Sequence, residues 1–234
     1  MIKIIRFNET ETIVEVFNAN EHLQKHWVQG AFYEAHKNGL LNWAYTKIPH
    51  NGIYIDVGAS IGNHTLFMAN VMKAEAVYAF EPVGKHYKWL RRNLAHNRLT
   101  NVHTFNFALS DEEGKGYICY APHLRHQTGG MMSGEFHRER PAHVSTEAAQ
   151  AITLNSLPYQ LPEEITWMKL DCEGSEPAVL RGASEILGEK RIEFISAECR
   201  TLPEFDEVSK ILDFYEYELI QSGLNHTPTY VWKR

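Results

Sequence analysis

The stretch that most constrains this chain is Ile53-Tyr54-Ile55-Asp56-Val57-Gly58-Ala59-Ser60-Ile61-Gly62-Asn63-His64-Thr65. Residues 53–57 read as a short buried strand, and the spacing from Ile61 to Met72 predicts a helix. Between them lies a glycine turn. Strand, glycine turn and helix in that order open a nucleotide-binding α/β unit. The glycines let the backbone bend tightly against a ligand, and the helix start offers N–H groups toward it.

The turn also excludes two ligand classes. A dinucleotide fold wants G-x-G-x-x-G, but Ser60 stands at the second glycine and Asn63 at the third. The second glycine is what lets a pyrophosphate approach the backbone. A phosphate loop fails as well: Gly84-Lys85 is followed by His86, and Ala79 stands where that loop's first glycine belongs. A nucleoside without a pyrophosphate suits the turn, and S-adenosylmethionine is the obvious one.

The rest of the chain alternates strand and helix. Residues 2–6 and 11–17 read as a hairpin, and 20–28 and 31–46 as helices with Trp27, Phe32, Tyr33, Leu40, Leu41 and Trp43 on an apolar face. We read residues 1–50 as a hairpin and helical cover, with part of a substrate pocket as the alternative, and 51–234 as the catalytic domain. Strands follow at 76–80, 102–108, 116–120, 165–170, 192–197, 217–221 and 229–233; helices follow at 84–97, 176–187 and 204–215. Residues 122–150 resist a regular reading and are taken as an irregular loop. This order predicts an α/β fold: a mostly parallel seven-stranded sheet of Rossmann-like type, helices on both faces and an antiparallel hairpin at one edge.

Composition narrows the partners. Of 234 residues, 22% are charged and the net charge is −6, which argues against general nucleic-acid binding. No apolar run approaches the roughly 18 residues of a membrane span. The three cysteines form no close pair. With no secretory leader pattern, reduced thiols and a cytoplasmic location are expected.

Acids gather where such sheets bind ligands, at the carboxyl ends of strands. Asp56, Glu81, Asp171 and Glu198 all fall at or near strand ends. Glu81 follows Gly58 by 23 residues, the place for a carboxylate that accepts from ribose hydroxyls. In Lys169-Leu170-Asp171-Cys172-Glu173-Gly174-Ser175-Glu176, three carboxylates in six residues repel unless cations, N–H donors or a substrate offset them. The basic stretch with His123, Arg125, His126, His137, Arg138 and His143 reads as a solvated loop or a grip for an acidic acceptor. Its spacing is poor for zinc, nothing demands magnesium, and no metal is expected.

Asp56 to Asn63, Phe80-Glu81-Pro82, Ala108-Leu109-Ser110, Thr153-Leu154-Asn155-Ser156-Leu157 and Lys169 to Glu176 together resemble the FkbM family of methyltransferases. The resemblance runs from about Trp27 to Glu198. The chain departs from it at Asn155, where many relatives have aspartate, and at Cys172, usually a branched apolar residue. It implies a class I fold, S-adenosylmethionine as cofactor with S-adenosylhomocysteine as product, and methyl transfer usually to oxygen. The acceptor it implies is a glycan or small molecule. By position it implies Asp56, Gly58, Ala59, Gly62, Asn63, Glu81, Pro82, Asn106, Phe107, Ala108 and Asp171 for the cofactor. Asp171, Glu173 and Glu198 are the catalytic candidates, and Glu173, Glu176, Arg125 and His126 the acceptor candidates. Glu173, Glu198 or a loop histidine can serve as base, and the residues do not choose among them. N-methyl transfer and a catalytically silent cofactor-binding protein are the alternatives. A DNA methylase is disfavoured, since neither Asn/Asp-Pro-Pro-aromatic nor Pro-Cys occurs.

Overall fold

The computed structural model describes residues 1–120, 134–137, 145–157 and 161–234. Its centre is β3 (Ile53–Val57), flanked in parallel by β4 (Ala76–Phe80) on one side and β10 (Ile165–Leu170) on the other. β5 (Val102–Phe105) lies beyond β4, and β11 (Ile192–Glu198) beyond β10. The antiparallel pair β12 (Glu218–Leu224) and β13 (Thr229–Lys233) completes a seven-stranded sheet of order β12-β13-β11-β10-β3-β4-β5. After β3 the chain moves outward through β4 and β5, then crosses back to β10. The gap between β3 and β10 is therefore the topological switch point.

Both faces are covered over the inner strands, which are largely apolar rather than alternating, while β12 at the edge is mostly exposed. Tyr54 and Trp167 face one layer with Trp27, Phe67 and Leu90. Their neighbours Ile55 and Met168 face the other with Leu180, Ile195 and Trp232. The buried Trp167 indole donates to Ser196 Oγ at 2.9 Å, so its one polar atom is satisfied.

The N-terminal hairpin forms as expected, β1 (Ile2–Phe7) against β2 (Thr10–Glu15). Its β2 edge is held by side-chain amides of α4 (Gly84–His96) and the residue after it. Asn93 Oδ1 accepts from Glu15 N, while Asn97 accepts from Ile13 N and donates to Ile13 O. α1 (His22–Val28) starts at Glu21, whose carboxylate accepts from Leu23 N and Gln24 N.

Five expectations are corrected. Residues 31–39 are not helical, and only α2 (Leu40–Lys47) follows. Glu34 adopts φ 64°, and its carbonyl oxygen fills the space where a Gly39 side chain would stand. The helix after the glycine turn is α3 (Asn63–Leu66), continued as a π turn over Phe67–Val71. The strand expected over 102–108 stops at Phe105. Asn106 then donates to the carbonyls of Glu81 and Pro82, and β6 (Ala108–Leu109) leaves for a second sheet.

That second sheet, of order β6-β9-β7-β8, occupies part of the stretch read as irregular. It comprises β7 (Gly114–Tyr120), β8 (Gly134–His137) and β9 (Ser145–Ile152). The alanines, glutamate and glutamine of β9 have weak strand propensity, and pairing with β7 supplies what their side chains do not. Lastly, the helix expected over 176–187 breaks into α5 (Glu176–Arg181) and α6 (Ser184–Gly188). At Gly182 a Cβ would lie 1.9 Å from Ser110 O, so the helix crosses that loop on its glycine. Among the described residues no helix is long and apolar enough to cross a membrane.

Candidate active site at the switch point

A cavity of about 820 Å³ opens over the carboxyl ends of β3, β4, β10 and β11. That volume holds a nucleoside-sized ligand with a second small molecule beside it. On the β4 side its wall is Gly58, Ser60, Phe80, Glu81, Pro82, Phe107, Ala108 and Leu109. On the β11 side it is Asp171, Glu173, Glu198, Arg200 and His226, with Glu21, His22 and Tyr33 from the N-terminal cover.

The glycine turn is built differently from a phosphate cradle. Gly58 N and Ala59 N both donate to Phe80 O, Gly62 N donates to Ala59 O, and Ser60 N donates to Glu81 Oε2 at 2.8 Å. The turn's donors are largely taken up by the protein, which fits a ligand read through its ring and hydroxyls rather than a phosphate. Gly58 is required twice. Its φ is 77°, and a Cβ would sit 1.9 Å from Asp171 O.

Glu81 sits at the end of β4 with both carboxylate oxygens anchored, one by Ser60 N and the other by Val83 N at 2.8 Å. Burial pushes its carboxyl up to about 7, against the pull of those two N–H donors and of Lys169. His86, also on this wall, is pushed down to about 4, first by burial and then by Lys85, so it is neutral at physiological pH.

The three acids of the 169–176 stretch are each answered separately. Lys169, almost fully buried, reaches Asp56 at 3.2 Å and Asp171 at 3.4 Å and donates to Gly58 O. Burial alone lowers its pKa; Asp56, Asp171 and Glu34 overcome this and hold it raised and charged. Glu173 pairs with Arg200 at 2.7 Å from a backbone φ of 63°, a conformation costing a non-glycine residue about 1 kcal/mol or more. Glu176 accepts from Cys172 N and Gly174 N, closing the loop around its own carboxylate. Burial and contact with Glu204 raise its pKa.

Glu198 differs from these. It lines the cavity, and among the described residues no hydrogen-bond donor or cation reaches its carboxyl. Burial pushes its pKa up, and the carboxylates of Asp171, Glu34 and Glu173 push it further.

The expected site residues therefore divide. Gly58, Glu81, Pro82, Phe107, Ala108, Asp171, Glu173 and Glu198 come together on the cavity wall. Asp56 lies beneath it, bonded to Thr65 Oγ1 at 2.6 Å and paired with Lys169. Gly62 packs on Leu90, Ala59 and Asn106 brace the β4 turn, and Asn63 binds the N-terminal cover. Glu176 serves its own loop rather than an acceptor. Arg125 and His126 lie outside the described residues, as do His123, Arg138 and His143; His137 is on β8. Among the described residues no cluster of His, Cys, Asp and Glu has the arrangement of a metal site. Sequence reasoning missed Glu21, His22, Tyr33, Arg200 and His226. The aromatic pattern around Tyr33 reads as core packing, and nothing in the spacing ties that segment to the switch point.

The parallel sheet with its antiparallel edge pair and a cavity at its switch point is a Rossmann-like fold. It is similar to the crystal structure of Methyltransferase FkbM from Methylobacillus flagellatus KT, with a TM-score of 0.54 and 17% identity over 79% of this chain and 44% of that one. A model of the Methyltransferase FkbM domain matches residues 56–219, and the chain belongs to that family. Among curated proteins it is 28% identical over 167 residues to Methyltransferase sdnD of Sordaria araneosa. It is 23% identical over 165 residues to Methyltransferase 1 of Beauveria bassiana. The first match covers 59% of this chain and 63% of the relative. The second covers 64% and 66%, so the chain spans somewhat less than two thirds of either relative's length.

Proposed function

We propose that the protein is an S-adenosylmethionine-dependent methyltransferase acting on a hydroxyl of a sugar or other small molecule. The observation that carries this is the single cavity at the switch point, with an apolar slot and an anchored carboxylate at one end and an unpaired carboxyl at the other. The residues present fit that cofactor. Phe80, Phe107, Ala108 and Leu109 offer an apolar slot for a purine. Glu81, held from behind by two N–H groups, keeps lone pairs for two ribose hydroxyls. Asp171 is suited to the cationic methionine end. When bound, S-adenosylmethionine supplies a methyl group already electrophilic on a sulfonium.

The remaining work falls to the protein. Asp171 and Glu173 are fixed by Lys169 and Arg200 and give the acceptor end its shape. Alignment in such a displacement supplies much of the rate. A hydroxyl is a weak nucleophile and gains from losing its proton as the new bond to carbon forms. Glu198 is our candidate to take that proton, because its carboxyl has no partner among the described residues. Burial and the neighbouring carboxylates push its pKa up to about 10, so it acts as the base in its ionised form, which the charge of a bound sulfonium favours.

Calorimetric titration with S-adenosylhomocysteine and with NADH, followed by transfer of labelled methyl from S-adenosylmethionine to a panel of glycosides, alcohols and amines, tests the reading. Binding of the first ligand alone, followed by oxygen-linked label, is expected. Binding with no transfer to any acceptor leaves a silent cofactor-binding protein. Label on nitrogen overturns the acceptor class.

A further inference from the structure

We propose that Tyr33 is an acceptor-binding residue, its hydroxyl donating a hydrogen bond to an oxygen of the methyl acceptor, and that Asn63 is the residue that positions it. This rests on the cavity being a methyl-transfer site.

Tyr33 lies on the cavity wall on the same side as Glu198. Its ring is braced by two imidazoles, His22 at 5.1 Å and His26 at 5.3 Å between centroids, both edge-on. Its backbone is gripped at both polar atoms by one side chain: Asn63 Oδ1 accepts from Tyr33 N at 3.0 Å, and Asn63 Nδ2 donates to Tyr33 O at 3.1 Å. The same Oδ1 accepts from the Trp27 indole at 3.1 Å, tying α1 to the turn. The next residue, His64, reaches the Glu34 carboxylate at 2.8 Å. Two consecutive residues after Gly62 thus hold two consecutive residues of the cover. In contrast to this fixed ring and backbone, the phenol hydroxyl has no hydrogen-bond partner among the described residues. A polar group fixed on a cavity wall without a protein partner is left to water or to a ligand that displaces it.

Chemistry agrees with the placement. Burial raises the phenol pKa, and the charges of Glu34, Asp171, Glu198 and Glu21 raise it further, so the group stays a donor. Tyr33 and the ionised form of Glu198 then offer a donor and an acceptor at the same end of the cavity. A hydroxylated acceptor satisfies both: one of its oxygens accepts from Tyr33, and the reacting hydroxyl gives its proton to Glu198 as oxygen bonds to the methyl carbon and the carbon–sulfur bond breaks. Asn63, at a glycine-turn position that sequence assigns to the cofactor, here serves the acceptor wall.

The test compares wild type with Tyr33→Phe and Asn63→Ala. The acceptor probes are methyl α-D-glucopyranoside, methyl α-L-rhamnopyranoside and cyclohexane-1,2-diol, and the fastest is used for kinetics. Tyr33→Phe is expected to raise the acceptor KM about tenfold, the loss of one hydrogen bond, while the calorimetric Kd for S-adenosylhomocysteine stays within about threefold. Asn63→Ala is expected to raise the same KM and to speed hydrogen exchange across residues 21–34, again with cofactor affinity kept. An unchanged acceptor KM in Tyr33→Phe overturns the contact. A tenfold weaker S-adenosylhomocysteine affinity in Asn63→Ala with unchanged exchange at 21–34 overturns the positioning role and returns Asn63 to the cofactor. If none of the three probes binds the S-adenosylhomocysteine complex by saturation-transfer NMR, Tyr33 is not a contact for alcohols. Failure of wild type to bind S-adenosylhomocysteine is read in the calorimeter alone and removes the underlying reading instead.

Discussion

The two ends of the cavity are made by opposite strategies. At the β4 end the turn is largely self-satisfied: Phe80 O takes two N–H donors, Glu81 takes two more, and Asn106 closes the carbonyls behind it. At the β11 end, Glu198 and the Tyr33 hydroxyl stand in the cavity without a partner among the described residues. The first end is rigid before any ligand arrives and suits a ligand that is always the same. The second keeps unsatisfied groups, which weakens the empty protein slightly and leaves selectivity to whatever satisfies them. Lys169 joins the two, since its ammonium serves Asp56, beneath the glycine turn, and Asp171, on the acceptor side.

The contrast is broken most severely at that joint. Lys169→Met leaves Asp56 buried and unpaired, and we expect a loss of about 3–5 kcal/mol in urea unfolding. A loss below about 1 kcal/mol would show that the ends do not share a charge lock. Next in size, Glu198→Gln should slow methyl transfer by about 100-fold or more while S-adenosylhomocysteine binds as before. Equal weakening of binding would blur the division of the cavity. Glu81→Gln should do the reverse, weakening S-adenosylhomocysteine by about 1–3 kcal/mol in calorimetry with a smaller effect on the acceptor KM.

The smallest effect is the dependence on pH. Glu81 titrates at about 7 in the folded protein, above its ordinary 4.5. Ribose hydroxyls donate to the ionised form, so cofactor affinity should rise with pH through about 7 and level off above it, by no more than tenfold per unit. Stability runs the other way. The folded state holds this proton more tightly than the unfolded one, so the Glu81 contribution falls from about pH 4.5 to about 7 and is flat beyond. Isothermal titration and melting curves across pH 5–9 separate the two slopes; a cofactor affinity that falls with pH contradicts the ribose role.

What was legible in the sequence follows the same division. The β3 turn, Glu81 and the 169–176 acids announce themselves because strand, glycine and carboxylate are neighbours along the chain. Tyr33 and Arg200 are not near those motifs, and only the sheet's crossing brings them together. Asn63 reads as a cofactor residue because it stands beside the glycine turn, but it also starts a helix, and from there its side chain reaches Trp27 and Tyr33. β9 escaped because Ala148, Ala149, Gln150 and Ala151 carry no strand pattern, and their order comes from pairing with β7. Gly182 reads as ordinary within a helical stripe until the Ser110 carbonyl is placed against it.

The close contact of Gly58 with Asp171 also sets a timetable. Lys169 and Val57, bonded across β3 and β10, are 112 residues apart in the chain. As the polypeptide is synthesised, β3 finds β4 within seconds, but its other edge waits until β10 has left the ribosome, which at about 5–20 residues per second is many seconds later. Until then that edge of β3 is an open template for the wrong neighbour. The early N-terminal hairpin and α1 can pack over one face of it in that interval, since Trp27 shares a core with Tyr54 and Phe67. The cover shields that face of β3, while its open edge closes only when β10 pairs with it.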